Sequence, residues 1–334
     1  MDFGEGRDGI TATARKRIKT GMRIMPTALI THAACFGHEP PAGHPESSAR
    51  LRAVLDGLRR LELPERAAPQ ATREQLLRAH SGALVDSILG PLNEQAQAAR
   101  YARIDADTFM SAGSAEAALR AAGAVVAAVD GVMGGEFRNA FCAVRPPGHH
   151  AERARAMGFC LFNNVAVGAL HARAVHNLKR IAVVDFDVHH GNGTQDIFFD
   201  DPELFYASTH QMPRYPGTGY ESERGTAGNI LNRPLPPESG SAEFRAAHQH
   251  VVLPALEAFA PEFIFISAGF DAHRADPLAN LNLTAEDFGW VTSEICAVAA
   301  RVCQGRVVSS LEGGYDLAAL AASAVAHVGA LIEA

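Results

Sequence analysis

Lysine is nearly absent from this chain of 334 residues, which carries only Lys16, Lys19 and Lys179. No Gly-x-x-x-x-Gly-Lys loop is present to cradle a phosphate. Positive charge is short as well, with Lys+Arg at 30 against Asp+Glu at 37 and a formal net charge of −7. No basic field therefore exists to hold nucleic-acid phosphates, and no direct nucleic-acid partner is expected. The five cysteines, Cys35, Cys142, Cys160, Cys296 and Cys303, form no Cys-x-x-Cys pair. Their wide separation argues against a disulfide framework or a zinc knuckle and points to reduced, buried thiols. No apolar run approaches the roughly 18 residues needed to span a bilayer. Residues 1–25 lack the apolar centre of a secretory signal, so a soluble cytoplasmic protein without a membrane partner is expected. A Gly-x-Ser-x-Gly elbow is missing too, which argues against a serine hydrolase.

What the chain does have is a hydrophobic fraction of 47%, enough to bury a large core. Residues 1–25, rich in Gly, Arg and Lys, read as a disordered leader, with Met22 or Met25 as alternative starts. The Gly4–Gly9 stretch formally matches Gly-x-Gly-x-x-Gly, but no strand precedes it, so no dinucleotide site is expected there. From residue 26 to 334 a single domain is expected. Short apolar runs alternate with helical periods, the pattern of a mostly parallel sheet with helices on both faces. Strands are expected at 27–31, 140–144, 180–186, 204–207, 263–267 and 306–311. Helices are expected at 45–60, 112–133, 161–176, 241–258, 284–302 and 317–332, with Ser241 and Thr284 as N-caps. The Pro/Gly-rich stretch 212–240 is too long for a simple connection and should shape the mouth of a site.

Four strand ends carry the chemistry, at the edge where open α/β sheets place their sites. The first reads Asp185-Phe186-Asp187-Val188-His189. Alternation along an extended chain points Asp185, Asp187 and His189 the same way. Two carboxylates and an imidazole on one face call for a compensating cation. An isolated Asp-x-Asp would more often cap the helix that follows. The second ends in Asp271, which adds a third donor to Asp187 and His189 and leaves a position open, as catalytic zinc sites do. Alone, it would read as a turn residue. The third, Arg145-Pro146-Pro147-Gly148-His149-His150, holds adjacent imidazoles on a stiff turn and invites an acid/base role. The fourth, Leu311-Glu312-Gly313-Gly314-Tyr315, could bring a phenol O–H to a developing oxyanion. Its bland alternative is a tyrosine packed on the sheet edge.

Together, in order from His44-Pro45-Glu46 to Tyr315, these stretches resemble the histone deacetylase family. The likeness is to its second class and to the bacterial histone-deacetylase-like and acetylpolyamine amidohydrolases. The resemblance implies the arginase/deacetylase fold, a three-layer α/β/α architecture around an eight-stranded, mostly parallel sheet. It implies zinc held by Asp187, His189 and Asp271, paired His149 and His150, and Tyr315 as the transition-state phenol. Asp185 would orient His149 and Asn192 would partner His150; Asn192, where first-class members carry Asp, sorts the chain with the second class. Gly158, Phe159 and Tyr215 would form the acyl tunnel. Leu278 would sit at its rim, without the glutamate that a polyamine-selective relative places there. Potassium is implied at Asp185, Asp187, His189, Ser208 and Thr209, and a second potassium at Phe198, Asp201 and Leu204. Arg50 would lie near the product channel, its alternative being an ion pair on a helix surface. The expected activity is removal of an acetyl or similar acyl group from lysine, or from a polyamine. An arginase-like ureohydrolase would need more metal ligands and leave Tyr315 unexplained. A non-catalytic acyl-lysine binder would need neither histidine nor Tyr315. The loop between His32 and His44 is short, so no dimerisation insert stands out, though helix faces could still assemble a homo-oligomer.

Overall fold

The computed structural model describes residues 26–334; the expected leader and its glycine motif lie outside them. The described strands, in chain order, are β1 (Thr27–Thr31), β2 (Glu65–Ala67), β3 (Ala102–Arg103), β4 (Phe109–Met110), β5 (Asn139–Cys142), β6 (Ile181–Asp185), β7 (Leu204–Gln211), β8 (Ile230–Leu235), β9 (Phe263–Ala268) and β10 (Val307–Leu311). Eight of them form one sheet in the order β2-β1-β5-β10-β9-β6-β7-β8. Every pairing in that sheet is parallel. Strands β3 and β4 form a separate antiparallel ribbon.

The central strands are buried along their whole length, because helices cover both faces; this is why they read as mostly apolar runs and do not alternate with charged residues. On one side the helices Ser48–Leu58, Ala285–Val302 and Leu317–Glu333 pack together, and on the other Ser114–Met133 lies against Asn164–His176. The result is the three-layer α/β/α arrangement expected.

Three departures from the sequence reading have physical causes. The expected helix 241–258 is broken into Ser241–Ala247 and Leu253–Phe259 by a π-turn at His248–Val252. Pro254, in the first turn of the second piece, has no N–H to continue an α-helical ladder. Ser241 is the first helical residue rather than the cap, and Gly240 takes the cap position, its N–H donating to Glu243 Oε2 at 2.9 Å. Strands β2 and β8 were not anticipated. The first is three exposed residues, Glu-Arg-Ala, and the second carries Pro234, which only an edge strand tolerates.

Candidate active site

Parallel pairing sets Asp185 beside Ser208 on β7 and Ser267 on β9, so the C-terminal ends of the central strands line up. There Asp187, His189 and Asp271 meet, with one possible ligand atom from each lying within 4.8 Å of the others. His189 Nδ1 is 3.2 Å from Asp187 Oδ1 and 3.1 Å from Asp271 Oδ2. Both carboxylates are buried, and among the described residues the ion pairs they make involve only His149 and His189, with no arginine or lysine. Backbone N–H groups orient them: Gly313 donates to Asp187 Oδ2 at 2.8 Å and Val188 to Asp271 Oδ1 at 2.9 Å. The neighbouring glycines are sterically required, since a Cβ on Gly269 would come 2.0 Å from Asp187 Oδ2 and one on Gly313 2.2 Å from Asp271 Oδ2. A buried trio of two carboxylates and an imidazole fits a divalent cation by charge, by donor type and by the coordination position it leaves open.

The turn after β5 sets His149 and His150 with ring centroids 4.0 Å apart. His149 Nδ1 lies 3.0 Å from Asp185 Oδ2, and His150 Nδ1 lies 2.8 Å from Asn192 Oδ1. Burial alone would lower the His149 pKa, but the Asp187 and Asp185 charges raise it to about 10. Burial first, and then the neighbouring His149 and His189, holds His150 well below its ordinary value. The adjacent rings are thus pulled in opposite directions, His149 by its carboxylate partner and His150 by burial beside an amide. Glu312, which the sequence reading passed over, anchors this turn. Its Oε2 accepts from the N–H groups of Gly148 at 2.6 Å and His149 at 3.2 Å, and burial pushes its carboxyl up to about 7. The signal available in the sequence was an acidic residue directly after the apolar strand β10.

A cavity of about 600 Å³ opens over this cluster, lined by His150, Gly158, Phe159, His189, Tyr215, Leu278 and Tyr315 among others. Phe159 holds a left-handed φ of 68°, unusual for a bulky residue, and its N–H donates to Thr108 Oγ1 at 3.1 Å. Across the cavity the Tyr215 ring stands 5.1 Å from His150, and a Cβ on Gly158 would collide with that imidazole at 2.5 Å. Leu278 is at the rim, where its carbonyl accepts from Arg214. Asp107, Pro45, Pro213 and Arg214 share the wall; Pro213 and Arg214 fall in the 212–240 stretch expected at a site mouth, whereas Asp107 carried no sequence signal. Asp276 ties the rim to Tyr315: its Oδ1 accepts from Leu278 N at 2.9 Å and its Oδ2 from Tyr315 N at 2.6 Å.

Arg50 is fully buried, which removes its reading as a helix-surface ion pair. Its Nε donates to Gly314 O at 2.6 Å, Nη2 to Glu312 O at 2.5 Å and Nη1 to Glu46 Oε1 at 3.0 Å. The guanidinium lies 4.8 Å from the Tyr315 ring centroid. Arg50 thus clamps the Glu312–Gly314 segment that carries Tyr315.

On β7, next to Ser208, Thr209 Oγ1 is buried without a hydrogen-bond partner among the described residues. The second potassium position is corrected by the structure. The carbonyls of Phe198, Asp201 and Leu204 accept from Asn229 Nδ2 at 3.0, 3.1 and 2.8 Å, so a side-chain amide already fills their centre. Asp130, His171 and His176 form another group with metal-like spacing. Arg78 Nη1 donates to His171 Nδ1 at 2.7 Å, so the ring proton is on Nε2 and points at Asp130 Oδ1, 2.8 Å away. That group is a hydrogen-bonded brace between two helices.

The profile of the histone deacetylase domain matches residues 44–331. The chain belongs to the histone deacetylase family. It is 40% identical to histone deacetylase 14, chloroplastic, of Arabidopsis thaliana over 319 residues, covering 90% of this chain and 75% of that protein. It is 41% identical to the histone deacetylase-like amidohydrolase of Pseudomonas aeruginosa, covering 83% of this chain and 74% of that protein. A crystal structure of the HDA15 HD domain superposes with a TM-score of 0.86 at 36% identity, covering 92% of this chain and 88% of that one. Fold and family therefore agree: this histone deacetylase-family chain is a hydrolase of the deacetylase and amidohydrolase kind, in the arginase/deacetylase fold, acting on acetylated amines.

Proposed function

We propose that this chain is a zinc-dependent deacetylase that cleaves acetyl or similar acyl groups from lysine side chains. The observation that carries the reading is the convergence of Asp187, His189 and Asp271 with the His149–Asp185 and His150–Asn192 pairs and Tyr315 around one cavity. A zinc ion held by the trio would polarise the acyl oxygen and lower the pKa of a water. His150, neutral and facing the cavity, takes a proton from the attacking water and returns it to the leaving amine. His149, held by Asp185, supports the developing negative charge. Tyr315, its phenol kept protonated by burial, donates its O–H to the oxyanion. Phe159 and Tyr215 flank the linear acyl-amine, and Asp276 and Arg50 fix the backbone on either side of Tyr315. Potassium at the Asp185, Asp187, His189, Ser208 and Thr209 position is part of the same reading, supported by the unpartnered Thr209 hydroxyl.

The second reading, an acetylpolyamine substrate, draws on one observation: Asp107 places a carboxylate in the cavity wall, where a second ammonium could be received, although Leu278 offers none. Turnover of acetyl-lysine peptides against acetylputrescine and acetylspermidine by zinc-loaded protein tests the choice. A higher kcat/KM on the peptides is expected; preference for the polyamines would overturn the lysine reading, and no turnover of either would overturn the deacetylase.

A further inference from the structure

Asn192 stands between His150 and Glu152, and its surroundings determine which way its amide faces. Nδ2 lies 2.8 Å from Glu152 Oε1, 3.3 Å from Met157 Sδ and 3.5 Å from the His150 carbonyl oxygen. A carboxylate, a thioether and a carbonyl can only accept. Turning the amide over would set its oxygen against the carboxylate. Oδ1 therefore faces His150 Nδ1, at 2.8 Å, and because an amide oxygen only accepts, the ring proton sits on Nδ1. The other ring nitrogen, Nε2, keeps its lone pair, and the ring it belongs to lines the cavity.

We infer that Glu152 is a positioning residue for the reaction: its carboxylate holds the Asn192 amide in the one orientation that leaves His150 with a basic nitrogen for the substrate water. The inference rests on the proposed role of His150 as proton acceptor. Glu152 is half-buried and lines a second, polar cavity of about 280 Å³ together with Asn192, Gln195 and Thr218. An aspartate at 192 would place negative charge directly on His150 Nδ1. In this chain the charge stands one hydrogen bond further out, and what the amide transmits is orientation. No other charged side chain reaches the Asn192 amide among the described residues, and the thioether and carbonyl contacts are longer and weaker, so most of the preference for one orientation comes from Glu152.

The test uses the zinc-loaded full chain and an acetyl-lysine peptide. Glu152→Ala is expected to lower kcat roughly ten-fold with KM unchanged, the lower range for losing a partner of a site residue. Glu152→Gln, which still presents an oxygen to Nδ2, should lose less than the alanine variant. In an Asn192→Asp background, where no amide can turn, Glu152→Ala should cost nothing further. Ring ¹⁵N shifts of His150 should report the Nδ1–H tautomer in wild type and a mixture of tautomers in Glu152→Ala, independently of turnover. Full activity with an unchanged tautomer in Glu152→Ala, or the same loss in both backgrounds, would overturn the inference. His150→Ala separates the two levels: if it retains turnover the proposed mechanism fails, whereas an inactive His150→Ala beside an unaffected Glu152→Ala removes Glu152 alone.

Discussion

Glu46 is the carboxylate on which two buried guanidiniums depend, and Glu46→Gln is the most informative single change in the fold. Arg145 donates to it through Nε at 2.5 Å and Nη2 at 2.6 Å, Arg50 through Nη1 at 3.0 Å, and His38 Nε2 lies 3.3 Å away. All four side chains are buried. Glutamine keeps one acceptor oxygen but turns an N–H₂ group toward donors and removes the only negative charge in the cluster. The guanidiniums retain carbonyl partners at Cys35, His38, Glu312 and Gly314, so they stay hydrogen-bonded while losing their counter-charge. Breaking one side of such a buried pair costs about 3–5 kcal/mol. At about 2–4 °C per kcal/mol for a large domain, the melting temperature should fall by about 6–20 °C. Burial alone would raise the Glu46 pKa, but Arg145 and His38 hold it well below 4.5. Its stabilisation is therefore complete above the unfolded-state value of about 4.3 and is lost only as pH falls through the lower folded value. Urea unfolding at several pH values between about 6 and 9 should show a constant gap between wild type and variant, in the midpoint and not the slope. A variant within about 1 kcal/mol of wild type would refute the account, since that is the size of an exposed pair. Turnover should fall as well, because Arg50 would no longer clamp the segment that carries Tyr315.

Tyr315→Phe should fold normally and lose roughly 10²- to 10³-fold in kcat, the usual effect of removing an oxyanion donor; undiminished turnover would take the phenol out of the reaction. Asp187→Ala and Asp271→Ala should each lose bound zinc by elemental analysis together with activity, and chelation of the wild type should abolish turnover until zinc is restored. Stoichiometric zinc in either variant would refute the ligand assignment. Asn229→Ala removes the shared Nδ2 donor from three carbonyls, of which Phe198 O keeps the Asp201 N–H and Asp201 O the Leu204 N–H, and should cost about 1 kcal/mol in potassium-free buffer. Part of that loss should return when potassium replaces choline at constant ionic strength, and equal melting temperatures in both salts would show that the carbonyls do not form a cation site.

What could be read from the sequence followed physical specificity. Strands β5, β6, β9 and β10 are short, mostly apolar runs with small or acidic residues at or just past their ends, so both the strand and the place where its chemistry begins were visible. Asp187, His189 and Asp271 stood out because charge placed at the end of a buried run demands compensation. Residues whose roles depend on distant partners were hidden. Glu46 meets Arg145 across 99 positions of chain, and Glu312 meets Gly148 across 164; neither pairing leaves a local pattern. Glu152 lies in a loop beside Arg153 and Arg155 and reads as ordinary solvated charge until Asn192 is seen against it. Strand β2 was illegible because an exposed edge of three residues needs no apolar alternation, and Pro234 masked β8 because proline is a strand breaker everywhere except at such an edge.

The Asn229 amide changes how its corner of the fold depends on the surroundings. A cation held by carbonyls is borrowed from solution, and the stability it lends rises and falls with its concentration. A group tethered to the backbone is present at full occupancy in every medium and cannot be exchanged, diluted or out-competed by sodium. The turn joining Phe198 to Leu204 is thereby closed by inheritance instead of by ionic supply. With the amide in place, this turn has no need of a cation from solution.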